Sequence, residues 1–154
     1  MTKIIICRGL PGSGKTTWAK NYIKQNVFSN IIRVNRDDIR KMFGISYNEF
    51  AERFVKEIEK DVITKALNAG YDVIVDDTNI YPSGAELIKK AIEESVFETV
   101  PIQFQNFFDT PIETCLERQE SRNEDERVPE QRLRQFYDYY EKFGKKFERY
   151  LEIK

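Results

Sequence analysis

Apolar and polar positions along the chain follow two rhythms, and their alternation sets the architecture. Lys3 to Arg8 (KIIICR) is a short unbroken apolar run that leads directly into glycines. Such a run reads as a strand buried on both faces of a parallel sheet. Ile31–Asn35, Asp72–Val75 and Val100–Phe108 read the same way. Between them the apolar spacing changes to three and four. Thr16 to about Asn26 and Ser83 to Glu94 read as helices. The longest helix covers Asn48–Ala69: Ala51, Phe54, Val55, Ile58, Val62 and Ala66 mark its apolar face, and Gly70 stops it. Thr110-Pro111-Ile112-Glu113 has the pattern of a capping box with proline at the first helical position, opening a further helix. A last helix starts at Pro129 and runs nearly to Lys154. It carries Leu133, Phe136, Tyr140, Phe143, Phe147 and Tyr150 at alternating spacings of three and four. That heptad-like stripe can pack on its own domain or mediate a homo-oligomer.

Strands alternating with helices predict a single α/β domain over residues 1–154, with a central parallel sheet of about four strands flanked by helices. One segment stands apart. Gln119 to Glu130 (QESRNEDERVPE) is almost wholly polar and joins two helices, as a disordered connection or a mobile lid.

Composition narrows the function. The 154 residues suffice for one domain with a core, and 40% hydrophobic and 33% charged residues are ordinary globular values. A net charge of −1 provides no global basic field for tracking a duplex, though a local basic pocket is compatible with it. Cys7 and Cys115 form no CxxC pair, which fits a reducing compartment. No apolar run approaches membrane-spanning length, and MTKIIIC lacks the features of a signal peptide, so a soluble cytoplasmic protein with no membrane partner is expected. Histidine is absent. Ser-His and Cys-His mechanisms are therefore excluded, and a general base near neutral pH is expected to be a carboxylate.

Gly9-Leu10-Pro11-Gly12-Ser13-Gly14-Lys15-Thr16 matches G-x-x-x-x-G-K-[ST], with Thr17 following. Such glycines let successive backbone N–H groups turn inward around phosphate oxygens, and the helix behind adds its positive N-terminal end. Lys15 is placed to reach the β- and γ-phosphates of ATP or another nucleoside triphosphate, and the Thr16 hydroxyl to ligate Mg²⁺. A predicted strand before the motif and a helix after it supply the required context. The chain has no N-K-x-D motif, which disfavours a GTPase switch.

VNRDDIR, residues 34–40, follows the second predicted strand and so lies at the sheet edge where open α/β proteins carry their ligands. If residues 36–43 are helical, Asp37 and Arg40 share a face at i, i+3, while Asp38 points about 100° away. The pair reads as a base with its clamp; the bland alternative is an ion-paired helix start. Asp76 and Asp77 also follow a strand, where one of them can order Mg²⁺ through water or cap the turn.

GLPGSGKTTW, VNRDDIR and VIVDDTN, followed by a polar segment with Arg118 and Arg122, resemble in order and spacing the phage polynucleotide 5′-hydroxyl kinase family. The resemblance covers nearly the whole chain. It implies a P-loop kinase-like fold with a helical lid at about residues 119–130, acting with ATP and Mg²⁺ on a nucleic-acid 5′ end. It implies catalytic roles for Asp37 as base, Lys15, Asp77 and, on the lid, Arg122. It places Gly9, Pro11, Gly12, Ser13, Gly14, Lys15, Thr16, Thr17, Arg118 and Arg122 around the nucleotide. Asp37, Arg40, Thr78 and Asn79 would face the acceptor, and Thr16 and Asp77 the metal. The D-x-D-G-T phosphatase motif of well-known phage members is absent, so only the kinase is expected. The same motifs occur in small P-loop kinases for other alcohols: a nucleoside, a hydroxymethylated base in DNA or a small metabolite. A regulatory NTP-binding module is a further alternative. Arg118 and Arg122 can also pair with Glu117, Glu120 and Glu124, Arg127 is another lid candidate, and Tyr137 or Tyr139 could stack on a base.

Overall fold

A computed structural model describes residues 1–152. Four strands form one parallel sheet: β1 Ile4–Arg8, β2 Ile31–Val34, β3 Asp72–Asp76 and β4 Ile102–Asn106. Their order is β2-β3-β1-β4. The helices are α1 Lys15–Gln25, α2 Arg36–Phe43, α3 Glu49–Asn68, α4 Pro82–Glu93, α5 Ile112–Glu120 and α6 Glu130–Glu152. A short 3₁₀ turn, Glu124–Glu126, lies between α5 and α6. The expected end of the last helix, at Ile153 and Lys154, lies outside the described residues.

The alternation of side chains along β1 builds two cores. Ile4 and Ile6 point into a layer shared with Val55, Ile63 and Leu67 of α3, Ile88 of α4 and Phe147 of α6. Ile5 and Cys7 point to the opposite face, against Ala19, Trp18 and Tyr22 of α1. A third cluster of Leu10, Ile80, Phe108, Cys115 and Leu133 lies where the carboxyl end of the sheet meets α5 and α6. All five β1 residues are buried, as an apolar run in a central parallel strand requires.

Two sequence expectations change. In α3, Phe54 is 45% exposed, while Glu52 and Glu59 are buried together with Ala51, Val55, Ile63 and Ala66. The buried face is thus rotated onto two carboxylates. The capping box does not close: Pro111 stands at the N-cap, α5 begins at Ile112, and the Thr110 hydroxyl donates to the Ser13 carbonyl instead (3.1 Å). The aromatic stripe of α6 is used within the chain, with Leu133 and Phe147 fully buried and Phe143 40% exposed. Among the described residues no helix is long and apolar enough to cross a membrane.

Candidate functional site

The register of the sheet assembles the site. Cys7 of β1 pairs with Asp76 of β3, so the loop after β1 emerges beside the Asp76-Asp77 turn. That loop, residues 9–14, needs two left-handed glycines: Gly12 at φ 86° and Gly14 at φ 104°. A Cβ on Gly12 would stand 3.1 Å from the Cys115 carbonyl, so α5 also requires glycine there. Lys15 opens α1 and folds back over the loop, its Nζ donating to the carbonyls of Gly9 (2.7 Å) and Leu10 (2.8 Å). Burial pulls the Lys15 pKa down to about 8, although Asp76 and Asp77 work to raise it. Pro11 and Gly12 are held by α5, their carbonyls accepting from Gln119 Nε2 (3.1 Å) and Arg118 Nη1 (2.8 Å). Ser13 is buried, and Thr17 follows Thr16 in the first turn of α1.

The Thr16 hydroxyl donates to Asp76 Oδ2 at 2.8 Å, and Arg33 Nη1 donates to the same oxygen at 2.8 Å. Asp76 is fully buried, and its Oδ1 has no hydrogen-bond partner. Burial raises its pKa against the opposing pull of Thr16, Lys15 and Arg33. The expected neighbour of Thr16 was Asp77. The structure gives that place to Asp76, because β3 continues through Asp76 and directs its side chain toward α1.

Asp77 belongs to a different network. Its Oδ1 accepts the Arg36 backbone N–H (3.0 Å), and its Oδ2 lies 3.7 Å from Arg36 Nε. Arg36 Nε also donates to Glu59 Oε2 (2.6 Å). Burial and the Asp77 charge push the Glu59 carboxyl well above its usual range, against the pull of Arg36. Burial acts to raise Asp77 as well, but the Arg36 charge outweighs it and holds Asp77 below the usual carboxylate range. One guanidinium is thus shared by two buried carboxyl groups, with Glu59 Oε1 and Asp77 Oδ2 left without hydrogen-bond partners. Asp77 thereby holds the first turn of α2, one residue before Asp37.

Residues 36–43 are helical, the condition on which Asp37 and Arg40 share a face. Asn35 caps α2, its Oδ1 accepting from Asp38 N–H (3.0 Å), while its Nδ2 donates to the Asp76 carbonyl. Asp37 and Arg40 form an ion pair on one face of the helix. Arg40 is also forked by Glu52 of α3, through Nε (3.0 Å) and Nη2 (2.8 Å). Three of its five N–H groups are thereby committed to carboxylates, and two remain uncommitted. The Asp37 side chain is 73% exposed. Asp38 faces away and pairs with Arg33.

Asn79 does not face an acceptor. It is buried at φ 53°, and its Nδ2 donates to the carbonyls of Cys7 (2.7 Å), Val75 (3.2 Å) and Asp77 (3.2 Å). Its own carbonyl accepts from Arg8 Nε (2.8 Å). It pins the ends of β1 and β3 together, and the Thr78 carbonyl accepts the Gly9 N–H (3.2 Å). Arg8, 1% exposed, extends the pin to α6 through Glu148 Oε1 (2.7 Å) and the Gly144 carbonyl (2.8 Å).

Residues 119–130 are organised by Gln119, whose Oε1 accepts the Val128 N–H (3.1 Å), and by Arg127, which donates to the carbonyls of Arg122 (3.0 Å) and Glu120 (3.1 Å). α5 ends at Glu120, so Arg122 lies in the turn beyond the helix rather than on it. Arg118 reaches the P-loop through the Gly12 carbonyl, and the charges of Arg118 and Arg122 oppose the burial that raises the Cys115 thiol. Among the described residues neither forms an ion pair with Glu117, Glu120 or Glu124. The residues that sequence reasoning passed over are Arg8, Arg33, Arg36, Glu52 and Glu59. The available signal was two glutamates, Glu52 and Glu59, at positions seven apart on the apolar side of α3.

A family model described as "AAA domain" matches residues 4–143. The chain belongs to this family. Its fold and loop are those of a P-loop kinase domain, and the resemblance read from the motifs holds at that level. A curated relative, the L-seryl-tRNA(Sec) kinase of Methanococcus maripaludis, is 30% identical over 94% of this chain. The chain spans 54% of that protein, about half its length. A chain of the Pnkp1/Rnl/Hen1 RNA repair complex superposes with a TM-score of 0.75 at 27% identity, covering 95% of this chain and 46% of that one. The Mycobacterium tuberculosis APS kinase CysC, in complex with AMPPNP and APS, shares the fold at a TM-score of 0.58 and 19% identity, over 77% of this chain and 68% of that one.

Proposed function

We propose that this domain transfers the γ-phosphate of ATP to the 5′-hydroxyl of a polynucleotide. The observation that carries the reading is the Asp37–Arg40 pair, whose carboxylate is exposed at the carboxyl edge of the sheet on the same side as the P-loop and which is joined to it through Arg36, Asp77 and the β3 turn. The similarity over 95% of the chain to a member of an RNA repair complex supports the choice of acceptor.

In this reading Asp37 accepts the proton of the acceptor hydroxyl while that oxygen bonds to the γ-phosphorus and the bond to the ADP oxygen breaks. The proton leaves Asp37 to solvent, to which the carboxylate is open. Arg40 orients Asp37 and offers its two uncommitted N–H groups to an acceptor phosphate. Lys15 and the loop N–H groups hold the nucleotide phosphates, and Arg118 and Arg122 add positive charge from α5 and the turn beyond it. Residues 119–130 act as the lid. The Thr16 hydroxyl and the unpartnered Oδ1 of Asp76 are hard oxygen donors suited to Mg²⁺, Asp76 acting directly or through water. The ion would neutralise phosphate charge as it is transferred. The metal role expected for Asp77 passes to Asp76.

A second reading rests on the seryl-tRNA kinase relative: an acceptor alcohol other than a 5′-hydroxyl. Transfer of labelled γ-phosphate from ATP to a panel of 5′-hydroxyl oligonucleotides, nucleosides and seryl-tRNA separates the two. Label on oligonucleotide 5′ ends is expected; label only on another alcohol overturns the first reading.

A further inference from the structure

The largest group of exposed apolar side chains is not scattered. Met42 (70% exposed), Phe43 (45%), Tyr47 (66%), Phe50 (89%) and Phe54 (45%) all lie around the end of α2 and the start of α3. Gly44, at φ 65°, reverses the chain after α2 and lets the Ile45 N–H close on the Arg40 carbonyl (2.9 Å). The reversal carries Tyr47 back over Arg40, with the guanidinium 5.3 Å from the ring centroid. Phe43 meets Phe54 edge to face at 5.3 Å. Phe50, Arg53 and Phe54 share one face of α3 at i, i+3 and i+4. Arg53 is exposed and forms no ion pair among the described residues.

Five solvated apolar side chains, four of them aromatic, are costly to leave in water without use. Their position is specific: Tyr47 touches Arg40, and Arg40 holds Asp37. Phe43 is six residues beyond Asp37 on α2, about 9 Å along the axis at 1.5 Å per residue. That is roughly the span of two to three stacked bases at 3.4 Å each. Flat rings interleaved with an unpaired guanidinium suit a single-stranded nucleic acid, whose bases present π-faces and whose backbone presents phosphates.

We propose that this aromatic patch is the platform on which the first few bases of a single-stranded acceptor stack, fixing its 5′ end at Asp37. The inference deepens the function proposed above and rests on it. A protein seated on the patch would cover the approach to Asp37, which favours nucleic acid over a protein or a second copy as the occupant.

The test measures direct binding of fluorescently labelled single-stranded oligonucleotide to the whole chain, alongside turnover. Phe50→Ala and Tyr47→Ala each remove an exposed ring and leave the core untouched. Each is expected to weaken oligonucleotide binding by about fivefold to a hundredfold, the range for loss of one base–aromatic stack. Phe50→Trp should retain affinity. An abasic oligonucleotide with the same phosphates should bind wild type and variants equally, and ATP affinity should not change. Phe28→Ala removes a fully exposed ring in the connection before the amino end of β2, the opposite end of the strand from Asp37, and should have no effect. Unchanged oligonucleotide binding in both ring variants, or a dimer that they dissociate, overturns the platform. Oligonucleotide turnover insensitive to ring loss would refute the platform and keep the acceptor. Ring-dependent binding with no label on any oligonucleotide would keep the platform and refute the acceptor.

Discussion

The Arg36–Asp77–Glu59 triad makes a prediction that depends on how one guanidinium is shared. Arg36 holds two buried carboxyl groups, Glu59 through Nε and Asp77 through its backbone N–H and a 3.7 Å ion pair. Asp77→Asn removes one of them, but Glu59, already bonded to Arg36 at 2.6 Å, remains as its partner. Glu59→Gln leaves the Asp77–Arg36 pair intact. Each single variant therefore loses about one hydrogen bond's worth of stability, roughly 1 kcal/mol. The double variant leaves a guanidinium with no carboxylate, which costs about 3–5 kcal/mol in a buried site. The Arg36 side chain is 21% exposed, which places the value near the lower end. The double should then exceed the sum of the singles by about 1–3 kcal/mol. Urea unfolding at pH 7 measures this, with Trp18, the single tryptophan, as the fluorescent reporter; it is stacked on Tyr22 at 5.1 Å. Additivity within about 0.5 kcal/mol would refute the shared-guanidinium arrangement. So would a cost of about 3 kcal/mol for Asp77→Asn alone, since Asp77 would then be the only counter-ion.

Three further outcomes are expected. Asp37→Asn should lower kcat by about 10² to 10⁴ with ATP affinity nearly unchanged, while Asp38→Asn, which only loosens a pair with Arg33, should cost less than about tenfold; steady-state kinetics of both variants side by side checks the phase of α2. Lys15 titrates at about 8 in the folded chain against 10.5 when unperturbed. Between those values the folded chain binds fewer protons than the unfolded one, so this group makes stability rise with pH. The charge that grips phosphate is lost over the same window, so ATP affinity measured by calorimetry should decline as pH rises through about 8, and Lys15→Ala should weaken binding throughout and flatten that decline. Asp76→Asn should raise the Mg²⁺ concentration for half-maximal rate far more than Asp77→Asn does; the reverse order would return the metal to Asp77.

What the sequence determined by itself is what local rules govern. The apolar runs and the glycine spacing of the loop act over a few residues, and they place β1 and α1 to within one residue. The spacing of Asp37 and Arg40 likewise fixed their common face, because a helix repeats every 3.6 residues wherever it lies. What only the tertiary structure decided is which partner each charge meets. Asp76 and Asp77 are adjacent and chemically identical, yet the register of β3 against β1 sends one to Thr16 and the other to Arg36. Glu52 and Glu59 gain their partners only when α2 presents Arg40 and Arg36 to them, and the buried face of α3 includes both carboxylates while Phe54 stays 45% exposed. Asn79 reads as a substrate contact until the ends of β1 and β3 close around its amide. A buried charge takes its role from the opposite charge that folding brings to it across tens of residues, and no local pattern records that encounter.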